Sequence, residues 1–192
     1  MWDAVTLILL CTANWWVYFE YLATSGFPLT FVTFCIFENL SIFPTSMYTS
    51  FEISVFDVTS MLVLLDGLQT CCHYAAHTYL RHTFIGKSHL IHHTNLSPKP
   101  HDAFYTGFVD AIVQLILPLY CVLLLVKPSR YSAILFGCMY SWWLLFIHSE
   151  PKKEYPWLEF FHLVTPRNHR KHHQTPSTNF STIFRFSNAQ QH

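Results

Sequence analysis

The stretch Arg167-Asn168-His169-Arg170-Lys171-His172-His173 limits what this chain can be more than any other. Its three imidazoles stand at i, i+3 and i+4, so on a helix they share one side, with neighbouring side chains about 5–6 Å apart. The same spacing returns in His89-Leu90-Ile91-His92-His93, and His73-Tyr74-Ala75-Ala76-His77 is an i, i+4 pair. Neutral imidazoles crowded together without a shared partner would leave ring nitrogens unsatisfied. A metal satisfies them together, and neutral imidazole is the commonest nitrogen ligand.

The surroundings are apolar. Hydrophobic residues make up 52% of the 192-residue chain, aromatics 18% and charged residues 11%. A soluble domain carries about 25% charged residues, so this composition predicts a single all-α integral membrane domain over residues 1–192. The formal net charge of +0 gives no reason to expect a polyanionic partner such as nucleic acid. Cys11, Cys35, Cys71, Cys72, Cys121 and Cys138 all sit inside apolar runs without a CxxC pair, and read as small buried hydrophobes rather than disulfides or metal ligands.

Five apolar runs follow one another. Residues 4–24 can span a bilayer, and with Asp3 in place of a basic n-region they are expected to stay as an anchor rather than be cleaved. Residues 27–43 form a shorter run that holds Glu38 and ends at Pro44, either a tilted span or a re-entrant segment. The third run, about 53–80, begins in Met61-Leu62-Val63-Leu64-Leu65, meets Asp66 and ends with the His73/His77 pair. The fourth, 104–126, is interrupted by Asp110 and Gln114, and Lys127-Pro128-Ser129-Arg130 turns it into the fifth, 131–147, which ends at His148. The expected architecture is therefore four to five transmembrane helices, with residues 1–50 as an anchor region and a His-rich helical cap. Nine Lys and Arg lie on the His side (Arg81, Lys87, Lys99, Lys152, Lys153, Arg167, Arg170, Lys171 and Arg185), against Lys127 and Arg130 in the far turn. By the positive-inside rule the cap is cytosolic.

His82, His101, His162 and His192 read as ordinary polar residues. His162 lies seven residues before His169, but Pro166 breaks any helix joining them, so it is expected to be no ligand. The other nine, His73, His77, His89, His92, His93, His148, His169, His172 and His173, exceed the four ligands of a tetrahedral site, which implies two metals. Without thiolates, iron or zinc remain.

At this point the order of the boxes resembles the fatty acid hydroxylase/sterol desaturase superfamily. His73-x3-His77, His89-x2-His92-His93, a lone His148 and His169-x2-His172-His173 carry the likeness over residues 66–183. Asp66 before the first box, Val164-Thr165-Pro166-Arg167 before the last and Asn179 after it also match. Thr70, where an aromatic is usual, and Ser149-Glu150, where Gly is frequent, depart from the pattern.

The resemblance implies a non-haem di-iron oxygenase with catalytic roles for Asp66 and Asn179. It would hydroxylate or desaturate a lipid, sterol or fatty acyl/sphingolipid, with dioxygen, in the endoplasmic reticulum. Zinc can replace iron in a purified protein. The chain carries no haem, flavin or nucleotide motif, so electrons are expected from a cytochrome b5-type protein or reductase. Two other classes fit the histidines: a metal-ion carrier or sensor, and a bis-His haem protein. Asp66, two turns before His73, is expected to be buried and bonded to a ligating His or to a charged group of the cap.

Overall fold

A computed structural model describes residues 38–151 and 154–185. The runs at 4–24 and 27–43, apart from residues 38–43, and also Lys152, Lys153 and His192, lie outside the described residues. Within them the chain is helical. A short α1 (Ser46–Thr49) precedes α2 (Val55–His77), α3 (Phe84–His92), α4 (Phe108–Val126), α5 (Arg130–Ile147), α6 (Pro156–Phe160) and α7 (Pro166–Gln174). A single antiparallel bridge pairs Leu163 with Phe184.

Local chemistry sets the ends of these helices. The Ser54 side chain caps α2 by accepting the Asp57 N–H at 3.2 Å. Lys127 takes up the left-handed conformation (φ 51°) that ends α4, and its N–H returns to Leu123 O at 2.9 Å. Pro128 cannot continue that helix, and Ser129 then caps α5 by accepting the Ser132 N–H at 3.1 Å. The turn between the fourth and fifth runs is thus a helical hairpin, as expected. Asp110 and Gln114 do not interrupt α4. The helix passes through them in a π-helical stretch, Ala111–Ile116, which widens its turns at that level.

α2, α4 and α5 pack side by side around Met61, Leu65, Val122, Leu123, Phe136, Tyr140, Leu144 and Ile147. Outside that seam, Val63, Leu64, Leu68, Leu124, Leu125, Leu135, Met139 and Trp142 are exposed. Two helices among the described residues, α2 and α4, are long and apolar enough to cross a membrane, and only 28% of each apolar stretch is buried. The core helix of a soluble protein would be mostly buried. α5 has 18 residues, but it opens on Arg130 and is not among the two.

Cys72, Cys121 and Cys138 are half-buried and Cys71 is exposed; all four are free. They are therefore not the buried residues expected. A helix facing an apolar solvent need not hide its small apolar side chains.

In lipid, tail and side chain are equally apolar, so association rests on close packing and polar contacts. Two such contacts join the helices. Tyr140 Oη donates to Gln69 Oε1, and Gln69 Nε2 donates to Gln114 O at 2.7 Å, linking α5, α2 and α4. At the opposite end Arg130 Nη2 meets the buried Glu38 Oε1 at 2.8 Å.

The antiparallel arrangement brings the C-terminus of α2, the N-terminus of α4 and the C-terminus of α5 to one end. α3 packs on α2 and α4 there, and α7 packs on α5. That end carries all the histidine boxes.

Candidate metal centre

Each box is held in place by the chain beside it. Thr165 and Asn168 cap each other at the start of α7: Asn168 N donates to Thr165 Oγ1 at 3.3 Å and Thr165 N to Asn168 Oδ1 at 3.1 Å. With Pro166 as the first helical residue, this fixes the helix that presents His169, His172 and His173. Asn179, itself left-handed (φ 56°), ties the following loop back by donating to Asn168 O at 3.3 Å. After the second box, Asp102 accepts Asn95 Nδ2 at 2.7 Å and Lys99 N at 2.8 Å, which fixes the loop leading to Tyr105.

All nine sequence-selected histidines converge, and they do so in two groups. His73, His77, His89, His93 and His172 form one, and His92, His148, His169 and His173 form the other; within each group the facing nitrogens lie within 4.8 Å of one another. No carboxylate or thiol joins either group among the described residues. The boxes do not each serve one centre. His89 and His93, at i and i+4, turn to the first group while His92 turns to the second. In α7 the pattern is mirrored: His169 and His173 face the second group and His172 faces the first. Adjacent residues on a helix point about 100° apart at 3.6 residues per turn, so an HH pair straddles two centres lying side by side.

The distances are those of ligands around a cation. His73 Nε2 lies 2.9 Å from His172 Nε2 and 3.2 Å from His77 Nε2, and His89 Nε2 and His93 Nε2 lie 3.0 and 3.1 Å from His77 Nε2. In the second group, His169 Nε2 is 2.9 Å from His148 Nε2 and 3.2 Å from His173 Nε2. Nitrogens bound about 2.1 Å from a metal and about 90° apart stand about 3.0 Å from each other.

A shared proton cannot account for the 2.9 Å approach of His73 and His172. His73 Nδ1 donates to Phe180 O at 2.7 Å and His172 Nδ1 to Thr178 O at 2.6 Å, so both facing Nε2 atoms carry lone pairs. In the second group His148 Nδ1 donates to Leu144 O at 2.7 Å and His92 Nδ1 to Tyr105 O at 3.1 Å. Lone pairs pointed at one another repel unless a cation lies between them. Burial, and then the imidazoles alongside, hold His92, His93, His169, His172 and His173 below the usual histidine range, and burial followed by His92 pushes His148 down to about 3. The rings are neutral, as ligands must be. The donor set therefore fits a pair of nitrogen-bound metals.

Two acids frame the centre without entering it. Asp110 Oδ1 accepts His89 Nδ1 at 2.9 Å, and Thr106 Oγ1 donates to its other oxygen. Sequence reasoning recorded Asp110 only as an interruption in an apolar run. Its signal was there, since an ionisable residue in an apolar helix is a functional candidate by default.

Asp66 is fully buried, as expected, but its partners are neither a histidine nor a charged group. Oδ1 accepts Thr182 N at 2.9 Å, Thr182 Oγ1 at 2.9 Å and Ile183 N at 2.8 Å, and Oδ2 accepts Phe184 N at 2.9 Å. The correction has a geometric cause. The strap at residues 180–184 returns between α2 and α7, and its amides reach the carboxylate. The same strap supplies Phe180 O to His73.

His162 and His82 are exposed and belong to neither group, and His101 lies beside Asp102. His162 sits in a left-handed link (φ 52°) between α6 and α7, and its carbonyl accepts Arg185 N at 2.7 Å.

A cavity of about 100 Å³ lies against both groups. It touches His73 and His89 of the first and His92, His148 and His169 of the second, and its walls include Gln69, Phe104, Gln114, Leu115, Tyr140 and Leu144. A larger one of about 550 Å³ touches only His77 and is rimmed by Arg81 and Arg185.

The histidines thus form two nitrogen-only groups among the described residues, at one end of a helical scaffold and beside a partly open cavity. The Fatty acid hydroxylase family model matches residues 59–189, and the chain belongs to that family. The chain is also similar to the alternative squalene epoxidase of Phaeodactylum tricornutum, 33% identical over 165 residues that cover 83% of this chain and 46% of that protein. It thus spans about half the length of that relative. No solved structure matches the chain.

Proposed function

We propose that the chain is a membrane-bound non-haem di-iron oxygenase that hydroxylates or desaturates a lipid. The observation that supports this most is the convergence of nine imidazoles in two groups beside one cavity, with the Nδ1 of five of them (His73, His89, His92, His148 and His172) tied outward to carbonyls or to Asp110. Five histidines would hold one iron and four the other. Iron bound there supplies the activation of dioxygen needed to attack an unactivated C–H bond.

The protein's own part is orientation and exclusion of water. Phe104, Leu115 and Leu144 keep the cavity wall apolar, and the Tyr140–Gln69–Gln114 ladder holds α5, α2 and α4 at fixed separation around it. Asp110 fixes the tautomer and orientation of His89. Asn179 and Asp66 hold the segment 178–184, in which the Thr178 carbonyl orients His172 and the Phe180 carbonyl orients His73.

The substrate is a sterol-class or fatty acyl lipid that enters from the bilayer. The relative's name adds an isoprenoid hydrocarbon and its epoxide to the candidates. The basic His-bearing side faces the cytosol of the endoplasmic reticulum, where a cytochrome b5-type protein or a reductase delivers electrons. Facing nitrogens about 3 Å apart leave no room for a porphyrin plane between them, which weighs against the haem alternative.

Lipid profiling of cells with and without the full-length gene tests the proposal. An oxygenated or newly unsaturated lipid that disappears with the gene, and with His148→Ala, is the expected result. Unchanged lipids in both comparisons would contradict it.

A further inference from the structure

The cavity beneath the two histidine groups is apolar except for a few side chains, and nearly all of these are spoken for. Tyr140 Oη donates to Gln69 Oε1, and Gln69 Nε2 donates to the Gln114 carbonyl at 2.7 Å. Thr106 Oγ1 donates to Asp110, whose other oxygen accepts His89 Nδ1 at 2.9 Å. Two nitrogens on this wall are not: Nδ1 of His169, on a ring that belongs to the second histidine group, and the side-chain amide of Gln114. Gln114 Nε2 is buried and has no hydrogen-bond partner among the described residues, while the backbone carbonyl of Gln114 serves Gln69. Gln114 lines the cavity from the π-helical stretch of α4.

A buried amide donor left unmade is costly, and native structures retain few such groups without a reason. This one borders the space in which a lipid would meet both histidine groups. No Lys or Arg lines that space and the amide is itself uncharged, so the acceptor that Gln114 matches is a neutral oxygen. We infer that Gln114 Nε2 is a positioning donor to a neutral acceptor oxygen (a carbonyl, ether, epoxide or hydroxyl oxygen) on the substrate lipid. The inference rests on the oxygenase reading above and deepens it: the lipid is not a plain hydrocarbon where it lies in the cavity, and its oxygen sets which carbon faces the metals. Gln114 does not touch the reacting atoms and acts by orientation.

The test is equilibrium binding of a matched pair to the metal-loaded full-length chain in nanodiscs, with partition into empty discs subtracted. Methyl pentadecyl ketone offers one acceptor oxygen, and n-heptadecane is the same chain without it. The native protein should favour the ketone about threefold to tenfold, the worth of one neutral hydrogen bond. Gln114→Met, which keeps the volume and removes the donor, should bring the ratio to near one while alkane affinity and metal content stay unchanged. Equal affinities in the native protein, or a ratio that survives Gln114→Met, would overturn the inference. The native ratio decides even if the variant fails to fold. Because binding requires no turnover, an inactive preparation that keeps the ratio counts against the oxygenase reading alone.

Discussion

Asp66 and Ile183, 117 residues apart in sequence, are joined by a 2.8 Å hydrogen bond from the Ile183 N–H to the Asp66 carboxylate. With the Thr182 and Phe184 amides on the same carboxylate, the bond pins the strap that passes Phe180 O to His73. Asp66→Asn replaces one acceptor oxygen with a donor, which cannot face a backbone N–H. A buried donor left unsatisfied costs about 1–3 kcal/mol. Thermal unfolding should show a loss of that size, and turnover at matched metal content should fall about 10–100-fold, as when a partner that orients a ligand is removed. Native stability together with native turnover would show that the strap does not need this carboxylate.

Asp110 works through a single ring. Asp110→Asn keeps an oxygen for the His89 Nδ1–H but removes its charge, which lowers the basicity of His89. Metal affinity in competition with a chelator should drop about 10–100-fold, with the helical signal unchanged. An unchanged affinity would mean that His89 is oriented by packing alone.

The two sequence motifs differ in how much of this they disclose. The i, i+3, i+4 spacing of His89, His92, His93 and of His169, His172, His173 marked six of the nine rings that gather at the centre, the His73/His77 pair two more, and His148 stood alone at the end of an apolar run. The spacing could not show that His92 and His172 each cross to the other group, because that depends on where two helices come to rest. The partners of the outward nitrogens were hidden for a different reason. The carbonyls of Tyr105, Leu144, Thr178 and Phe180 are backbone atoms, and sequence names only side chains. Asp66 was legible as a buried acid but not as an anchor for amides more than a hundred residues away.

The helix hairpin of α4 and α5 was legible from Lys127-Pro128-Ser129. The π-helical stretch was not, although Pro118, which lacks the N–H that would bond the Gln114 carbonyl four residues earlier, leaves that carbonyl to Gln69.

Gly107 permits a close approach of α3 to the start of α4 at the site end. A Cβ there would stand 2.1 Å from Ser88 Oγ and 2.8 Å from Ser88 O. Ser88 Oγ also accepts the Asp110 N–H at 3.0 Å, so moving it disturbs the start of α4. Gly107→Ala should destabilise the chain by about 1–3 kcal/mol, the usual cost of overpacking, read as a lowered melting temperature. A native melting temperature would mean that α3 and α4 can separate freely.

His162 provides the contrast. It is exposed and outside both groups, so its side chain can be removed at no loss of a ligand, whatever its left-handed backbone (φ 52°) costs in stability. His162→Ala should keep full metal content and activity. Metal lost from His162→Ala but kept by His148→Ala would reverse the roles assigned to these two residues.

The central claim is that nine histidines hold two metals with nitrogen alone. Elemental analysis joined to X-ray absorption at the metal edge, on the purified full-length chain, tests it most directly. The account predicts two metals per chain, iron or substituted zinc, falling to one in His148→Ala, with a shell of nitrogens at about 2.0–2.3 Å and no sulfur. One metal in the native protein, or a sulfur scatterer in its shell, would contradict it.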